Sequence, residues 1–314
     1  NAALRRPRPL CVYPAGGRAC CCRGRYQSRQ GRQTHQEVLT ALPRLSAARA
    51  PLTESITVTN ELGQQESTSI PAERSLTVYV DKRELVTLMT LGAQPEWLVL
   101  GYLLNQRLIG SASEVESITV DWDVAAAAVK THTGIDQIEE RTAKKVVTTG
   151  CGQGSVYGAL LDDIANVKLP PPDQARITQA ELYSLVNTIR LQETTYKSAG
   201  SVHACALFDI KTGTEPDMQI FVEDVGRHNA IDTIAGWMAL QPQAQGSASA
   251  PCQKVFYTTG RLTSEMIIKS AQMGVPIVVS RSGITHMGYQ IAQQLGLCAV
   301  GRAMNKRFVC YSAP

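Results

Sequence analysis

One cysteine stands in a glycine-rich turn that leaves its thiol uncovered. Cys151 lies in the sequence G-C-G-Q-G at residues 150–154, between a short β-branched run and a predicted helix. Glycines let the backbone fold tightly there, and free N–H groups at a helix start near Ser155 would favour the thiolate and lower the thiol pKa. We therefore predict a nucleophilic thiol that could carry sulfur, although free cysteines are also commonly buried structural residues.

A second polar segment, E-D-V-G-R-H-N-A-I-D at residues 223–232, follows a predicted strand. Open α/β sheets bind ligands at the carboxyl ends of their strands. Arg227 and His228 could hold a phosphate or pyrophosphate at that position, and Asp232 lies one helical turn beyond His228. A capped strand–helix junction with a surface ion pair explains the same residues equally well.

The third segment, T-T-G-R-L-T-S-E at residues 258–265, again joins a strand, a glycine turn and a helix N-terminus. Backbone N–H groups around Gly260 and the hydroxyl of Ser264 would form an anion site, which Arg261 would strengthen. The segment lacks the lysine of a P-loop, and no G-x-G-x-x-G fingerprint occurs at a strand–helix junction. It indicates an anion site without naming the ligand.

A faint pattern of a zinc deaminase, which would read H-x-E and P-C-x-x-C, surrounds two further cysteines. Cys205 stands in the position of the glutamate after His203, and no second cysteine ligand follows Cys252. Two or three ligands do not make a closed zinc site. We therefore expect that the protein has no catalytic metal of its own, and we interpret His203 as a polar group at a strand end.

The elements that must position these residues form two parts. Residues 54–145 predict a smaller module of mixed α and β structure, because alternating β-branched runs and an apolar helical stripe both occur there. Its strands are predicted at 55–59, 75–81, 115–129 and 134–140, and its helices at 82–91 and 96–106.

The second part runs from residue 146 to 314 and begins with the loop of Cys151, residues 149–155. Continuous apolar strands alternate here with helices of about ten residues, which predicts βαβ units and a largely parallel sheet. The chain as a whole is therefore expected to be α/β, or α+β when both parts are taken together.

The basic charge of the chain is confined to its first 50 residues, which contain ten Arg and one Glu, whereas the remainder is mildly acidic. These residues lack periodicity, so we expect an unstructured tail, although Arg-rich N-termini can be transit peptides. The acidic body argues against a nucleic-acid-binding protein driven by the tail. No apolar run is long enough to span a membrane. The cysteines outside the tail are odd in number and widely spaced, which indicates a reducing compartment. We expect a soluble, cytoplasmic protein.

The segments described above resemble, in their order and spacing, the FdhD family of formate dehydrogenase accessory sulfurtransferases. The resemblance covers residues 54–312. It rests on T-T-G-C ending at Cys151, the His203 segment, E-D-V-G-R-H-N-A-I-D at 223–232, T-G-R at 259–261 through S-E-M at 264–266, and G-V-P-I at 274–277.

The resemblance implies a sulfurtransferase that forms a persulfide on Cys151 with sulfur from a cysteine desulfurase. The sulfur would pass to the molybdenum bis(guanine dinucleotide) cofactor, bound as cargo, on which formate dehydrogenase depends. A homodimer and a cytidine-deaminase-like three-layer α/β domain over residues 146–314 are also implied. The guanine dinucleotide site would include the stretch after the last core strand, which comprises Arg302, Ala303, Met304, Asn305, Lys306 and Arg307.

We also assign Arg227, His228, Gly260, Arg261 and Ser264 to that cofactor site. Three features depart from the family pattern. The T-G-G that usually precedes the family histidine reads A-G-S here, at residues 199–201 before His203. Some members have C-x-x-C in the carrier loop, whereas the second position here is glycine, at residue 154, so only transfer by a single cysteine is possible. The C-terminal stretch has Arg and Met, at residues 302 and 304, where the family has Phe and Arg. The alternative function is a non-catalytic chaperone that holds the cofactor and docks apo-formate dehydrogenase.

Overall fold

The computed structural model describes residues 42–136, 138, 167–171, 175–192, 194–211, 214–242 and 253–313. Its strands are β1 (Arg44–Leu45), β2 (Thr53–Thr59), β3 (Gln65–Pro71), β4 (Arg74–Val80), β5 (Arg83–Thr90), β6 (Val115–Asp121), β7 (Ala126–Thr131), β8 (His203–Ile210), β9 (Asp217–Asp224), β10 (Gln253–Thr258), β11 (Ile277–Ser280), β12 (Cys298–Met304) and β13 (Arg307–Ser312). Its α-helices are α1 (Pro95–Asn105), α2 (Gln179–Leu191), α3 (Thr195–Ala199), α4 (Arg227–Leu240), α5 (Ser264–Gln272) and α6 (His286–Gln294).

The first sheet has five strands in the order β1-β6-β7-β4-β5. Alternation along β4 buries Leu76, Val78 and Val80 on one face, as the period of two predicts. Helix α1 covers that face with Leu98 and Leu103, which lie in the same apolar core. The strand predicted at residues 75–81 and the helix predicted at 96–106 are confirmed. Strands β2 and β3 form a separate hairpin.

The helix predicted at residues 82–91 is wrong, because this segment forms strand β5. Asp81 and Lys82 adopt left-handed backbone conformations, with φ of 47° and 73°, and turn the chain back against β4. A shift in the pairing register then adds one residue to β5. The buried Leu85 and Leu88 are consequently three residues apart, which is the spacing of a helix face.

The strand predicted at residues 134–140 is wrong over its described part, because residues 134–136 and 138 belong to no strand. Gly134 adopts a left-handed conformation with φ of 81°. Its N–H donates to Thr131 Oγ1 at 2.9 Å, which closes a turn directly after β7.

The folded part begins earlier than the tail prediction allowed, since residues 42–50 pack on the first sheet. Strand β1 pairs in parallel with β6. Ser46 anchors this segment, because its hydroxyl donates to Glu96 Oε1 at 2.6 Å and accepts the N–H of Val120 at 2.9 Å. The rest of the tail and the proposed boundary between residues 145 and 146 lie outside the described residues, so the domain limits stay a prediction.

The second sheet has six strands in the order β13-β12-β11-β10-β8-β9. Helix α2 packs on one face, against Phe208 and Tyr257. Helices α4, α5 and α6 pack on the other face, against Leu207 and Phe256. Each strand thus contributes alternate residues to two cores, and the result is a helix–sheet–helix arrangement. The α/β fold class is confirmed.

This sheet is mixed, so the prediction of a largely parallel sheet is wrong. Only β10, β11 and β12 pair in parallel with one another, whereas β8, β9 and β13 each pair antiparallel with a neighbour. A parallel crossover needs a dozen or more residues. Residues 211–216 between β8 and β9, and the two residues between β12 and β13, are too few and form hairpins.

Two glycines let α1 of the first sheet lie directly against α4 of the second. A Cβ added at Gly101 would be 1.6 Å from the carbonyl oxygen of Asp232. A Cβ added at Gly236 would be 2.0 Å from the carbonyl oxygen of Trp97. No side chain fits at either position, so the two helix backbones pack in contact and fix one sheet against the other.

Candidate functional site

One edge of the second sheet gathers the segments that the sequence singled out. Strands β10, β11 and β12 are parallel and end at this edge. Strand β8 begins there, and its His203 is paired with Asp224 at the end of β9. The segments at residues 223–232, 258–265 and 302–307 therefore meet at the carboxyl ends of strands, where open α/β sheets bind ligands.

A cavity of about 390 Å³ opens at this edge, on the face that α2 covers. Its apolar walls include Val186, Ile189 and Phe221, and Thr259 and Ala303 lie among its other lining residues. The volume falls in the range of small-molecule sites, which are mostly apolar with a few polar groups that orient the ligand.

The charged lining of this cavity is mainly cationic. Arg190, Lys197 and Arg281 line it together with a single carboxylate, that of Glu223. The side chain of Arg281 makes no ion pair with any described residue. Burial raises the pKa of Tyr257 to about 12, an effect that the Arg281 charge opposes. A neutral phenol and three cations therefore favour an anionic ligand with a flat apolar part.

Glu223 has a structural partner in the short helix α3, which forms another wall of the cavity. Its carboxylate accepts the N–H of Thr195 at 2.6 Å and the N–H of Tyr196 at 3.2 Å. Strand β9 thereby fixes the start of α3, and Tyr196 and Lys197 are held at the cavity.

Hydrogen bonds join the three loops that follow β10, β11 and β12. Ser280 Oγ donates to the carbonyl of Gly260 at 2.6 Å and accepts the N–H of Ser282 at 2.9 Å. The N–H of Arg302 donates to the carbonyl of Ser282 at 2.6 Å. Thr258 Oγ1 accepts the N–H of Gly260 at 3.1 Å. The edge is thus one connected scaffold, which keeps its side chains in place before a ligand binds.

The stretch at residues 302–307 does not follow the last strand, as predicted, but spans the end of β12, a turn and the start of β13. A two-residue turn at Asn305 and Lys306 allows β13 to return along the sheet edge. Ala303, Met304 and Asn305 line the cavity, whereas Arg302, Lys306 and Arg307 do not. Arg302 and Asn305 adopt left-handed conformations, with φ of 52° and 53°, which are uncommon for residues other than glycine.

The opposite face of the same edge carries a second set of polar residues. Ala204 lines the cavity, so strand alternation directs His203 to the side of α4. Arg227, the first residue of α4, passes beneath the turn after β10, where a Cβ added at Gly260 would be 2.8 Å from Arg227 Cδ. Burial and the charges of Arg227 and Arg261 lower the pKa of His203.

Asp224 and Asn229, in the segment at residues 223–232, hold the two sheets together. Asp224 Oδ2 accepts the hydroxyl of Thr90 at 2.5 Å and the N–H of Leu91 at 3.1 Å. Asn229 Nδ2 donates to Asp224 Oδ1 at 2.8 Å and to the carbonyl of Met89 at 2.6 Å. The end of β5 is therefore docked on the start of α4, whereas the alternative drawn from the sequence was a capped strand–helix junction with a surface ion pair.

The predicted ligand residue His228 is buried between α4 and α5 instead of facing the cavity. Its Nε2 lies 3.2 Å from Glu265 Oε2, and its exposed fraction is 2%. Ser264 begins α5 and is also absent from the cavity lining. Cys151, its loop at residues 149–155 and Cys252 lie outside the described residues.

The sequence profile of the FdhD/NarQ family matches residues 71–314. The chain belongs to this family. The sulfur carrier protein FdhD of Bacillus licheniformis is 31% identical over 255 residues, which cover 80% of this chain and 90% of the relative. The sulfur carrier protein FdhD of Listeria innocua is 26% identical over 249 residues, which cover 79% and 91%.

A crystal structure from Desulfotalea psychrophila, provisionally described as a formate dehydrogenase accessory protein, is also similar to this member of the FdhD/NarQ family. It superimposes with a TM-score of 0.62 at 25% identity, covering 84% of this chain and 98% of that chain. The resemblance drawn from the sequence motifs is thus confirmed, and the likeness to cytidine deaminases stays a prediction. None of the helices in the described residues combines the length and apolar character that crossing a bilayer requires.

Sequence reasoning missed three cationic residues of this FdhD/NarQ chain, namely Arg190, Lys197 and Arg281. Arg281 had a usable signal, because it directly follows a continuously apolar strand, as Arg261 follows the T-T-G turn after another. Arg190 and Lys197 had none. Arg190 reaches the cavity only through the packing of α2 on the sheet, and Lys197 only because Glu223 holds the start of α3.

Proposed function

We propose that this protein is a cytoplasmic sulfur carrier for formate dehydrogenase. Cys151 takes persulfide sulfur from a cysteine desulfurase and delivers it to a molybdenum bis(guanine dinucleotide) cofactor. A guanine nucleotide part of that cofactor occupies the cavity at the edge of the second sheet. The relatives' printed role as sulfur carriers supports the first part of this proposal, and the accessory-protein description of the similar structure supports the dehydrogenase as partner.

The observation that carries the ligand proposal is the cationic cavity at the strand ends. A guanine nucleotide combines a flat base with phosphate groups. The phenol of Tyr257 and the ring of Phe221 offer stacking surfaces, and Arg281 offers a planar donor pair to a phosphate. Ala303, Met304 and Asn305 belong to the same lining, which agrees with the stretch assigned from the family resemblance.

The first transfer is a thiol–persulfide exchange. The Cys151 thiolate attacks the outer sulfur of the donor persulfide, the donor S–S bond breaks, a new S–S bond forms on Cys151, and the donor leaves as a thiolate. The second transfer changes the oxidation state of sulfur. Cys151 persulfide, a molybdenum oxo group and two low-molecular-weight thiols give Cys151 thiolate, a molybdenum sulfido group, water and one disulfide. The two thiols supply the two electrons.

The test is intact-protein mass spectrometry after incubation with a cysteine desulfurase and cysteine. The wild-type protein is expected to gain about 32 Da per transferred sulfur, as persulfidation of a thiol requires. Cys151→Ala is expected to gain none. Cys205→Ser is the matched control, because Cys205 is fully buried and burial raises its pKa to about 12, so this variant should gain the adduct as the wild type does.

A cofactor-binding chaperone in which Cys151 plays no part is the second candidate, since the cavity alone would serve it. The two functions differ in a complementation assay for formate dehydrogenase activity. A sulfur carrier loses the activity in Cys151→Ala, whereas a chaperone keeps it. An equal adduct on wild type and Cys151→Ala, together with retained dehydrogenase activity, would exclude Cys151 as the carrier.

A further inference from the structure

We infer that His203, Arg227 and Arg261 form an oxyanion-binding site on the face of the second sheet opposite the cavity. The three residues lie on different segments, namely β8, the start of α4 and the turn after β10. Fold topology therefore brings them together at one edge of the sheet. We refer to them below as the edge cluster.

Strand alternation separates the edge cluster from the cavity. At the end of β10, Thr258 faces the core of α4–α6, where its hydroxyl accepts a hydrogen bond from Cys205 Sγ at 3.3 Å. The next residue, Thr259, lines the cavity on the other face. His203 and Ala204 alternate in the same way at the start of β8. The sheet itself thus stands between the two groups of cations.

The three residues of the edge cluster differ in how far they are exposed to solvent. Arg227 is 7% exposed and passes under the Gly260 turn, as the 2.8 Å distance from an added Cβ to its Cδ shows. His203 is half-buried and Arg261 is exposed. A small ligand could therefore reach the imidazole of His203 and the guanidinium group of Arg261 from solvent, above the buried Arg227.

The electrostatic surroundings of the edge cluster favour an anion. Besides burial, the charges that lower the pKa of His203 are those of Arg227 and Arg261. The nearest strand partner of His203 is Asp224, but both carboxylate oxygens of Asp224 are occupied by donors from the junction with β5 and from Gly226. The two guanidinium groups and the imidazole N–H can donate hydrogen bonds to the oxygens of a tetrahedral oxyanion.

Two sources of such an anion are compatible with this chemistry. One is a phosphate group of the dinucleotide cargo other than the phosphate that pairs with Arg281, and the other is the oxo-anionic metal end of the same cargo. Both of these sources rest on the proposed function, whereas the oxyanion site itself does not. Each face then holds a different part of the ligand: the cavity holds a base with the phosphate that pairs with Arg281, and the edge cluster holds a further anionic group.

The test is isothermal titration calorimetry of the full chain with sodium phosphate, sodium molybdate and GMP in separate titrations. His203→Gln and Arg261→Gln are expected to weaken binding of the inorganic oxyanions by about tenfold or more, as loss of one charge-assisted hydrogen bond does. Arg44→Gln, on the first sheet, removes the same charge and should leave oxyanion binding unchanged. Tighter binding of phosphate than of molybdate favours the nucleotide as the source, and the reverse favours the metal end.

Three results would overturn the inference. They are absence of oxyanion binding to the wild type, retained binding in both His203→Gln and Arg261→Gln, and an equal loss in Arg44→Gln, which would mean an unspecific effect of charge. An NMR titration of the imidazole signals gives a second readout, because a bound anion raises the pKa of His203. An oxyanion that binds without moving this signal also contradicts the inference. None of these results depends on the persulfide at Cys151, so the sulfur-carrier proposal is tested separately.

Discussion

Lys269 and Asp232 face each other in the protein interior, with Nζ and Oδ2 2.9 Å apart and neither side chain exposed to solvent. Asn105 Nδ2 donates to the other oxygen of Asp232 at 2.7 Å, and Glu265 Oε1 lies 3.5 Å from Lys269 Nζ. The buried charges thus join α1, α4 and α5. Asp232 belongs to the segment that most strongly marks the family resemblance, and its role in this structure is to connect the two sheets.

Lys269→Met is expected to destabilise the fold by about 3–5 kcal/mol, because it leaves the buried Asp232 carboxylate without its cation. The double variant Lys269→Met/Asp232→Asn should recover part of that loss, since no uncompensated charge remains. The surface pair of Lys254 and Asp209 provides the control, and Lys254→Met should cost less than about 1 kcal/mol. Denaturant unfolding measures all three. A Lys269→Met variant as stable as Lys254→Met would contradict this role.

The carboxyl of Asp232 should also give the stability a particular dependence on pH. Burial raises the pKa of Asp232 to about 6, above its ordinary value of 3.8. The folded protein then binds this proton more tightly than the unfolded chain. The contribution of Asp232 to the free energy of unfolding therefore falls as the pH rises from 3.8 to about 6.

Asp232→Asn isolates this effect, because its side chain does not titrate. The free energy of unfolding of the wild type minus that of Asp232→Asn should be larger at pH 4 than at pH 7, with denaturant melts at both pH values as the measurement. A difference that grows with pH would show that the pKa of Asp232 is lowered in the folded protein.

Gly101→Ala should be among the most damaging single-methyl changes in this protein. The new Cβ would lie 1.6 Å from the carbonyl oxygen of Asp232, so α1 and α4 must separate, and we expect a loss of about 3 kcal/mol or more. Gly283→Ala is the matched control, because its Cβ would meet only Tyr311 Oη, at 3.7 Å. If thermal melting gives similar midpoints for the two variants, the contact between the helices is not what fixes the sheets.

Arg281→Gln should weaken GMP binding to the cavity by about tenfold or more, because the planar guanidinium can no longer pair with the phosphate. Arg44→Gln carries the same change of charge on the first sheet and should bind GMP as the wild type does. Calorimetric titration of both variants decides the matter. Equal affinity in Arg281→Gln and wild type would remove the phosphate role of Arg281, and absence of GMP binding to the wild type would remove the nucleotide from the cavity.

Much of the fold follows from local patterns, and the exceptions have local causes. The alternation in β4 and the continuous apolar run of β11 were sufficient to predict those strands. The bulge in β5 was not visible, because one added residue gives a strand the apolar spacing of a helix. The strand directions of the second sheet depend on loop length, and the hairpins at β8–β9 and β12–β13 give no periodic signal.

The candidate site was predictable only in part. The rule that ligands bind at strand ends pointed to Arg261 and would also have found Arg281. The same rule made His228 look like a ligand residue, although it is buried between α4 and α5, with its Nε2 3.2 Å from Glu265 Oε2. A polar run at a strand end has the same composition whether it binds a ligand or another part of the chain, and only the three-dimensional neighbours separate the two cases.

The alternation of Thr258 and Thr259 between the two faces of the sheet sets a rule for how this protein can change over evolution. A substitution at a strand end alters only one face, so the charge of the cavity and the charge of the edge cluster can change independently. A one-residue insertion or deletion within β10 would exchange the faces of every residue beyond it. Members of this family should therefore keep the number of residues between the strand core and the turn constant.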